Sequence, residues 1–285
     1  MKKSGKICAG IVLYNPDIQR LRLVIKSICN QVDEMVLVDN GSENLVELQC
    51  TLEDYENVTL IKNAENEGIA KALNQICSFA VEKGYIWCLT LDHDTICHES
   101  MVNQLMSYED NERVGIICPR VDYEGINIKQ KNSESETVDV YACMTSGSLT
   151  NLNAWEEVGG FREDYFIDFV DNEFCMRLGL VGYRIVRVNG CVMHHQLGDT
   201  RDKKILGFRK TVSIHSPRRY YYMTRNNLSF ISEYKSHLNV LKEYLKLMSI
   251  LFSGTFYADD VKETLLFIKK GISDAHNGRM GKLTI

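Results

Sequence analysis

The sequence has few prolines, no stretch rich in glycine and serine, and no long hydrophobic run. Only three prolines occur in 285 residues. Flexible linkers are rich in glycine and serine and stiff ones in proline, so no linker marks a domain boundary. No stretch approaches the roughly 20 apolar residues that a membrane-spanning helix needs. We therefore expect one large domain with an accessory segment and no transmembrane anchor.

A secretory signal is also missing, although the N-terminal stretch MKKSGKICAGIVLYNP begins like one. Its basic residues precede an apolar run, but Asn15, Pro16 and Asp17 end that run early. No small-residue cleavage site follows. We expect a protein that is not exported.

The chain has no surplus of positive charge and no paired cysteines. Its formal net charge of −5 speaks against nucleic acid as the main partner, because binding to phosphates needs excess lysine and arginine. The ten cysteines lack the close pairs of metal or redox motifs. Those in apolar runs fit reduced core thiols of a cytosolic protein: Cys8, Cys29, Cys77, Cys88, Cys118 and Cys191.

Predicted strands and helices alternate over the first 120 residues. The strands are residues 7–14, MVLVD, VTLIK, YIWCLTL and VGIICP, with helices at about 17–31, 43–51, 69–83 and 99–107. This order predicts an α/β fold with a Rossmann-like, mostly parallel sheet flanked by helices. In such sheets ligands bind at the carboxyl ends of the strands. The polar residues predicted there are Tyr14, Asn15, Asp39, Asn40, Asp92 and Asp94.

The pattern changes after about residue 145 and ends in two amphipathic helices, LNVLKEYLKLMSILF and DDVKETLLFIKKGI, with lysines on their polar sides. Packing against the main domain explains these helices. A basic amphipathic surface on a membrane is the alternative.

The stretch LTLDHDTICHES ends an apolar run with Asp92 and Asp94. If the strand continues, residues two apart face the same side, so both carboxylates would face one spot. A solvated turn is the alternative. Because paired carboxylates hold Mg²⁺ or Mn²⁺ beside a diphosphate, the strand-end position favours a metal site.

Two further residues are candidates for chemistry. His195 ends another apolar strand and is a candidate metal ligand or phosphate donor, with adjacent His194 as the alternative. Asp171 begins a predicted helix after an aromatic run, as an N-cap or as a general base. Glu173 and Asp168 are competitors for the role of base.

The segment HSPRRYYYMTRNN places Arg218, Arg219 and Arg225 beside three tyrosines. The tyrosines fit helix packing, and the arginines are either solvated or suited to bidentate phosphate contacts.

With these residues assembled, the chain resembles the inverting glycosyltransferases of family 2, and among them the bacterial rhamnosyltransferases. The matching stretches follow the family's order: VLYNP, VDNGS, NEGIAKALN, LDHDT, TSGSL, GGFREDYFIDFVDNEFCMRLGLVGY, HHQLGD, HSPRRYYYMTRN and KKGISDAHNGRMGK.

The resemblance implies a GT-A fold over residues 1–215, with a nucleotide-sugar half to about residue 120, an acceptor half after it, and a helical segment over 216–285. It implies that Asp171 is the catalytic base, with Asp94 and His195 on Mn²⁺ or Mg²⁺. The implied substrate-binding residues are Val12, Tyr14, Asp39, Asn66, Lys71, Asp92, His93, Arg218 and Arg219.

The implied reaction is metal-dependent transfer of L-rhamnose from dTDP-L-rhamnose to a hydroxyl of a lipid-linked cell-surface polysaccharide. It would occur in the cytoplasm at the inner face of the membrane, with peripheral membrane contact and a homo-oligomer as further associations. Two departures weaken the role assignments. Val170 replaces the acidic neighbour of Asp171, and Leu73 stands where relatives often carry arginine.

Three other functions are compatible with parts of the pattern. Another donor, such as a UDP-hexose, would use the same motifs. A nucleotidyltransferase would need a glycine-rich basic loop after the first strand, which VLYNPDIQR lacks. A non-catalytic sugar-nucleotide-binding protein could share the same scaffold.

Overall fold

The computed structural model describes residues 6–53, 55–109, 112–123, 135–195, 200–205, 208–213 and 215–284, without the side chains of residues 123, 194–195 and 200–213. The chain divides into two compact units. The first comprises Met1–Glu163 and Val170–Gln196, and the second comprises Asp164–Phe169 and Leu197–Ile285. The functional boundary expected at residue 215 stays a prediction.

The strands and helices alternate along the chain. The strands are β1 Ile7–Leu13, β2 Glu34–Asp39, β3 Val58–Lys62, β4 Trp87–Asp92, β5 Val114–Tyr123, β6 Thr137–Asp139, β7 Ser148–Asn151, β8 Arg184–His195, β9 Thr200–Ile205 and β10 Phe208–Ser213. The helices are α1 Ile18–Ile28, α2 Leu45–Leu52, α3 Ile69–Glu82, α4 Met101–Met106, α5 Leu152–Glu157, α6 Val170–Leu180, α7 Pro217–Tyr234, α8 Val240–Tyr257 and α9 Val261–His276, with a 3₁₀ turn at Glu163–Tyr165.

The first unit is built on an eight-stranded sheet in the order β3-β2-β1-β4-β7-β5-β8-β6. Strands β3, β2, β1 and β4 are parallel neighbours, and β5 is parallel to β8. Strand β7 lies between β4 and β5 and is antiparallel to both. Strand β6, at the end of the sheet, is antiparallel to β8. The expected mostly parallel sheet is confirmed, with β7 and β6 as its antiparallel strands.

Close packing of helix α3 on the sheet depends on a glycine in β1. A Cβ atom at Gly10 would lie 2.1 Å from a side-chain carbon of Ile76. Gly10 therefore allows α3 to approach β1 closely. The ten cysteines are all free thiols, as the sequence predicts.

Three long helices form most of the second unit, and α7 packs against both α8 and α9. One buried apolar cluster of this unit consists of Tyr220, Leu247, Leu251 and Ile268. Within the part of the chain that the structure describes, no helix has both the length and the apolar character needed to cross a membrane.

Candidate active site

Three neighbouring strands bring predicted site residues to one edge of the sheet. Val12 of β1 pairs with Asp92 of β4, and the next residue, Leu13, pairs with Asp39 of β2. Because these strands are parallel, their carboxyl ends lie together, as the sequence predicts. The edge thus combines two carboxylates with the nearly buried side chain of Val12.

The loops after β1 and β2 are tied together by hydrogen bonds. Asn15 donates its backbone N–H to Ser42 Oγ at 2.8 Å and accepts at Oδ1 from the Glu43 N–H at 2.8 Å. Both carboxylate oxygens of Asp39 accept from the Ser42 N–H at 3.3 Å, and Asp39 is only 1% exposed. Tyr14, by contrast, is 48% exposed, so it offers more surface to a ligand than Asp39 does.

Asn40 organises the loop that contains Asn66. Asn40 Nδ2 donates to Asn66 Oδ1 and to the Gly68 carbonyl, both at 3.2 Å. Asn40 Oδ1 accepts from Asn63 Nδ2 at 3.1 Å and from the Glu67 N–H at 3.0 Å. Asn66 Oδ1 is therefore used in hydrogen bonds within the loop. These bonds fix the position of Asn66 relative to Asn40 at the end of β2.

The Asp92–Asp94 pair adopts a different geometry from the one expected of a continuing strand. Strand β4 ends at Asp92, and His93 and Asp94 lie in a turn. The Asp92 N–H donates to Ser146 Oγ at 2.9 Å, and Arg20 Nε donates to the Asp94 carbonyl at 2.8 Å. The expectation that strand alternation aligns the two carboxylates is wrong, because alternation ends where the turn begins.

Two of the cations predicted to bind phosphate have carboxylate partners. Lys71 Nζ lies 3.1 Å from Glu67 Oε2, one helical turn away. Arg219 donates to Asp168 Oδ1 at 3.2 and 3.3 Å, and both Arg218 and Arg219 are exposed. A phosphate would have to share Lys71 or Arg219 with these carboxylates.

The expected metal ligand His195 is the last residue of β8, with Cα register to Tyr123 of β5. The side chains of His194 and His195 lie outside the described part of the chain. Among the described residues, no group of three or more His, Cys, Asp or Glu side chains could hold a metal ion.

Asp171 is one of the residues that line a cavity of about 320 Å³. The cavity lies within the first unit and is lined from β5, β7, β8, α6 and the segment before β7. The lining residues are Cys118, Pro119, Val121, Val140, Ala142, Cys143, Met144, Ser148, Asp171, Asn172 and Arg187.

Asp171 and Glu173 have distinct environments although both lie in the first turn of α6. The helix begins at Val170, so the N-cap reading of Asp171 is wrong. Asp171 Oδ1 accepts from the Asn172 N–H at 2.8 Å and from Asn172 Nδ2 at 3.2 Å. Glu173 is fully buried and accepts two 2.7 Å hydrogen bonds from Arg177. Glu173 is therefore a structural ion-pair partner, and Asp171 is the acid that lines the cavity.

In the second unit, a strained loop precedes α6 in the chain. Phe166, Asp168 and Phe169 have φ angles of 64°, 65° and 65°, which non-glycine residues rarely adopt. Asn226 Nδ2 donates to the carbonyls of residues 165, 167 and 168 at 2.9, 2.7 and 2.8 Å. Arg225 Nη2 donates to the carbonyls of residues 164 and 165 at 3.3 and 3.1 Å. These bonds compensate the strain.

Arg225 and Asn226 are residues whose role the sequence did not reveal. Both are 0% exposed, so the suggestion that Arg225 binds phosphate is wrong. The available signal was the polar run Arg225-Asn226-Asn227 inside a helix rich in aromatic residues, since buried guanidinium and amide groups need internal partners. Asn40 and Ser146 were also missed as structural residues, although both lie inside the motifs VDNGS and TSGSL.

Comparison with known proteins places this geometry in a family. Residues 8–177 match the model of Glycosyl transferase family 2. The chain is 32% identical over 294 residues to dTDP-rhamnosyl transferase RfbF of Shigella flexneri, and the match covers 98% of this chain and 97% of that protein.

Solved structures share the fold at low sequence identity. A mannosyltransferase from Pyrobaculum calidifontis, solved with GDP-Man and Mn²⁺, is 12% identical with a TM-score of 0.60 over 99% of this chain and 77% of that one. S. aureus TarS 1-349 in complex with UDP-GlcNAc is 14% identical with a TM-score of 0.62, over 96% and 81%. The expected GT-A fold is confirmed. With more than half of its length matched by the family model and a relative at 32% identity over nearly its full length, the chain belongs to glycosyltransferase family 2.

Proposed function

We propose that the protein transfers L-rhamnose from dTDP-L-rhamnose, with inversion, to a hydroxyl of a lipid-linked cell-surface polysaccharide. The observation that carries this proposal is the 32% identity to a dTDP-rhamnosyl transferase over nearly the full length of both chains. Residues 1–215 would form the transferase domain and residues 216–285 its helical extension.

The donor would bind along the edge formed by β1, β2 and β4. Val12, Tyr14 and Asp39 would line the nucleotide pocket, with Asn66 adding a donor contact. Asp92 and His93 would face the ribose and the diphosphate. Lys71, Arg218 and Arg219 would neutralise the charge of the diphosphate. Lys71 and Arg219 would then either leave their carboxylate partners, Glu67 and Asp168, or bind the phosphate and the carboxylate together.

A divalent cation, Mn²⁺ or Mg²⁺, fits the acids at this edge. Such cations bind through one or two carboxylates and complete their coordination with substrate phosphates and water. Asp94 in the turn after β4 offers a carboxylate of this kind. Asp94 and His195 would hold the cation, and when bound it would neutralise charge on the departing diphosphate.

Asp171 would act as the general base. Its Oδ1 accepts two hydrogen bonds from Asn172, which orient the carboxylate within the cavity. Asp171 would take the proton from the acceptor hydroxyl as that oxygen bonds to the anomeric carbon. The bond from this carbon to the diphosphate oxygen breaks, and attack from the opposite face inverts the configuration.

The second unit offers a surface for membrane contact. Apolar side chains are exposed along one face of α8, at Leu241, Leu245, Met248, Phe252 and Phe256. Their spacing of three or four residues aligns them as a stripe, and Lys242 and Lys246 lie beside it on the helix. An apolar stripe with flanking lysines suits an anionic lipid surface. The enzyme would act in the cytoplasm at the inner face of the membrane, where it would meet a lipid-linked acceptor.

The donor is tested by measuring nucleotide release and sugar transfer with dTDP-L-rhamnose, dTDP-glucose, UDP-glucose and GDP-mannose, each with Mn²⁺, Mg²⁺ or EDTA. The proposal predicts metal-dependent turnover selective for dTDP-L-rhamnose. Selectivity for a UDP-sugar or GDP-sugar would overturn the donor, and no turnover with any donor would support a non-catalytic protein.

Membrane contact is tested by sedimentation with vesicles of phosphatidylglycerol or phosphatidylcholine. We expect binding to the anionic vesicles and its loss in the double variant Leu245→Glu and Phe252→Glu. If the wild type forms a homo-oligomer that this variant dissociates, and does not sediment with vesicles, the stripe is an interface between copies instead.

A further inference from the structure

The cavity beside Asp171 has a chemically divided lining. One part is polar and comes from Ser148, Asp171, Asn172 and Arg187. The other lining residues are aliphatic or sulfur-containing, and none of the described residues that line the cavity is aromatic. A volume of about 320 Å³ is at the lower end of the range for ligand sites, which suits one sugar residue rather than a longer chain.

The polar groups of the cavity are held in place by their neighbours. Asn172 orients Asp171 through the two hydrogen bonds to Oδ1. Arg187 Nε donates to Asn189 Oδ1 at 3.1 Å, two residues along β8. The guanidinium is thereby tethered while it lines the cavity, where its other N–H groups suit the hydroxyl and ring oxygens of a sugar.

The apolar part of the lining restricts which sugar fits. Pro119, Val121, Val140 and Met144 provide no side-chain hydrogen-bond donor. A sugar hydroxyl placed against them would lose its hydrogen bonds to water without replacement, which costs free energy. A methyl group placed there would instead gain from leaving water.

We propose that this cavity binds the terminal sugar of the acceptor, and that this sugar presents a methyl-bearing substituent to Val121, Val140 and Met144. The methyl group belongs to the C6 position of a deoxyhexose or to an N-acetyl group, and Arg187 binds oxygens of the same sugar. The inference rests on the proposed function, in which Asp171 takes the proton of the acceptor hydroxyl.

The probes for this inference are methyl glycosides of rhamnose, fucose, N-acetylglucosamine, glucose, mannose and galactose. Their affinities are measured by ligand-detected NMR on the wild type, Arg187→Met, Val140→Thr and the control Arg22→Met. Arg22 is an exposed arginine of α1 outside the cavity lining. All six probes share the same O-methyl aglycone. The first three carry a further methyl group on the sugar itself, at C6 in rhamnose and fucose and in the N-acetyl group of N-acetylglucosamine, so they distinguish the deoxy from the N-acetyl alternative.

We expect a deoxy or N-acetyl glycoside to bind at least about tenfold more tightly than the fully hydroxylated ones, the effect of one well-placed apolar group. Val140→Thr, which keeps the side-chain shape, should reduce this preference. Arg187→Met should weaken the binding of the preferred glycoside about tenfold or more. Arg22→Met should match the wild type.

The inference would be overturned if the glycosides of rhamnose, fucose and N-acetylglucosamine bound no more tightly than those of glucose, mannose and galactose. Wild-type affinities in Arg187→Met would also overturn it. Binding of no glycoside to the wild type would also overturn it. Thermal stabilisation by dTDP-L-rhamnose with Mn²⁺ is measured on the same samples. If the donor stabilises the protein but glycoside selectivity is missing, the inference about the cavity fails and the proposed donor stands. If glycoside selectivity is found but the donor does not stabilise the protein, the proposed donor fails and the inference about the cavity stands.

Discussion

Glu173 and Arg177 form an ion pair one turn apart on α6, with both carboxylate oxygens of Glu173 accepting at 2.7 Å. Arg177 also donates to the carbonyl oxygens of Val158 and Gly160. The pair thus fixes the turn around residues 158–160 to the helix that carries Asp171. The ion pair gives Glu173 a structural role. Asp171 is then the acid in the first turn of α6 that lines the cavity.

Asp171→Asn should abolish most of the transfer activity without removing donor binding. Loss of a general base reduces rates by about 10²–10⁴-fold, and asparagine keeps the shape of the side chain. Initial rates of dTDP release from dTDP-L-rhamnose measure the effect, and donor-induced thermal stabilisation measures binding. A rate within twofold of the wild type would assign the base elsewhere, with Asp168 as the next candidate.

Glu173→Gln should act through stability. Removing one partner of a buried ion pair leaves the other uncompensated, and we expect the free energy of unfolding to fall by about 3 kcal/mol. Urea denaturation measures this change. Glu157→Gln is the matched control, because Glu157 lies 3.9 Å from Arg113 on the surface and should contribute less than about 1 kcal/mol. Equal effects of the two substitutions would contradict the structural role of Glu173.

Asn226→Ala should destabilise the second unit. The substitution leaves three carbonyls of the strained loop without their amide donor, and we expect a loss of more than about 2 kcal/mol in unfolding free energy. Asn277→Ala serves as the control, since Asn277 is exposed and donates to the carbonyl of Ser273 at the end of α9. Its effect should stay within about 0.5 kcal/mol. A loss for Asn226→Ala no larger than the control's would mean that other contacts hold the loop.

The pH dependence of stability should include a contribution from His215. Burial, followed by the positive charge of Arg219, lowers the pKa of His215, and Asp168 opposes this shift. As the pH falls below the ordinary value of about 6.5, the unfolded chain binds a proton before the folded protein does, so folding stability falls. The loss continues until the pH passes the lowered pKa of the folded state.

Thermal unfolding between pH 5 and pH 8 measures this contribution in the wild type and in His215→Gln. The slope from one histidine cannot exceed about 1.4 kcal/mol per pH unit. We expect the variant to lose less stability than the wild type between pH 6.5 and pH 5. Parallel curves for the two proteins would show that His215 titrates with the same pKa in both states.

Much of the first unit could be predicted from local sequence patterns. Strand β1 and helix α1 lie within a few residues of their expected bounds. Full burial of β1 leaves a continuous apolar run in the sequence, and burial of one face of α1 leaves a helical period. Asp17, expected to open α1, caps it by accepting from the Arg20 N–H at 2.8 Å. The position of β7 could not be predicted, since antiparallel insertion between β4 and β5 depends on distant pairing.

The candidate site could be predicted in position more readily than in geometry. Val12, Asp39 and Asp92 meet at one edge because parallel strands end together. The turn at Asp94 depends on Arg20, which is 74 residues away in the chain. Likewise, the amide of Asn226 bonds to residues 58–61 positions earlier. Such contacts have no local signal in a single sequence.

The central claim, a metal-dependent dTDP-L-rhamnose site containing Asp94, is tested most directly by thermal unfolding of the wild type and Asp94→Asn. Each protein is measured with Mn²⁺ or Mg²⁺ and with dTDP-L-rhamnose, dTDP-glucose, UDP-glucose, UDP-N-acetylglucosamine or GDP-mannose. At about 100 times its dissociation constant, a ligand adds roughly 2.7 kcal/mol of stability. The account predicts metal-dependent stabilisation of the wild type that is largest with dTDP-L-rhamnose and is lost in Asp94→Asn. Equal stabilisation of both proteins, or stabilisation that EDTA does not remove, would contradict it.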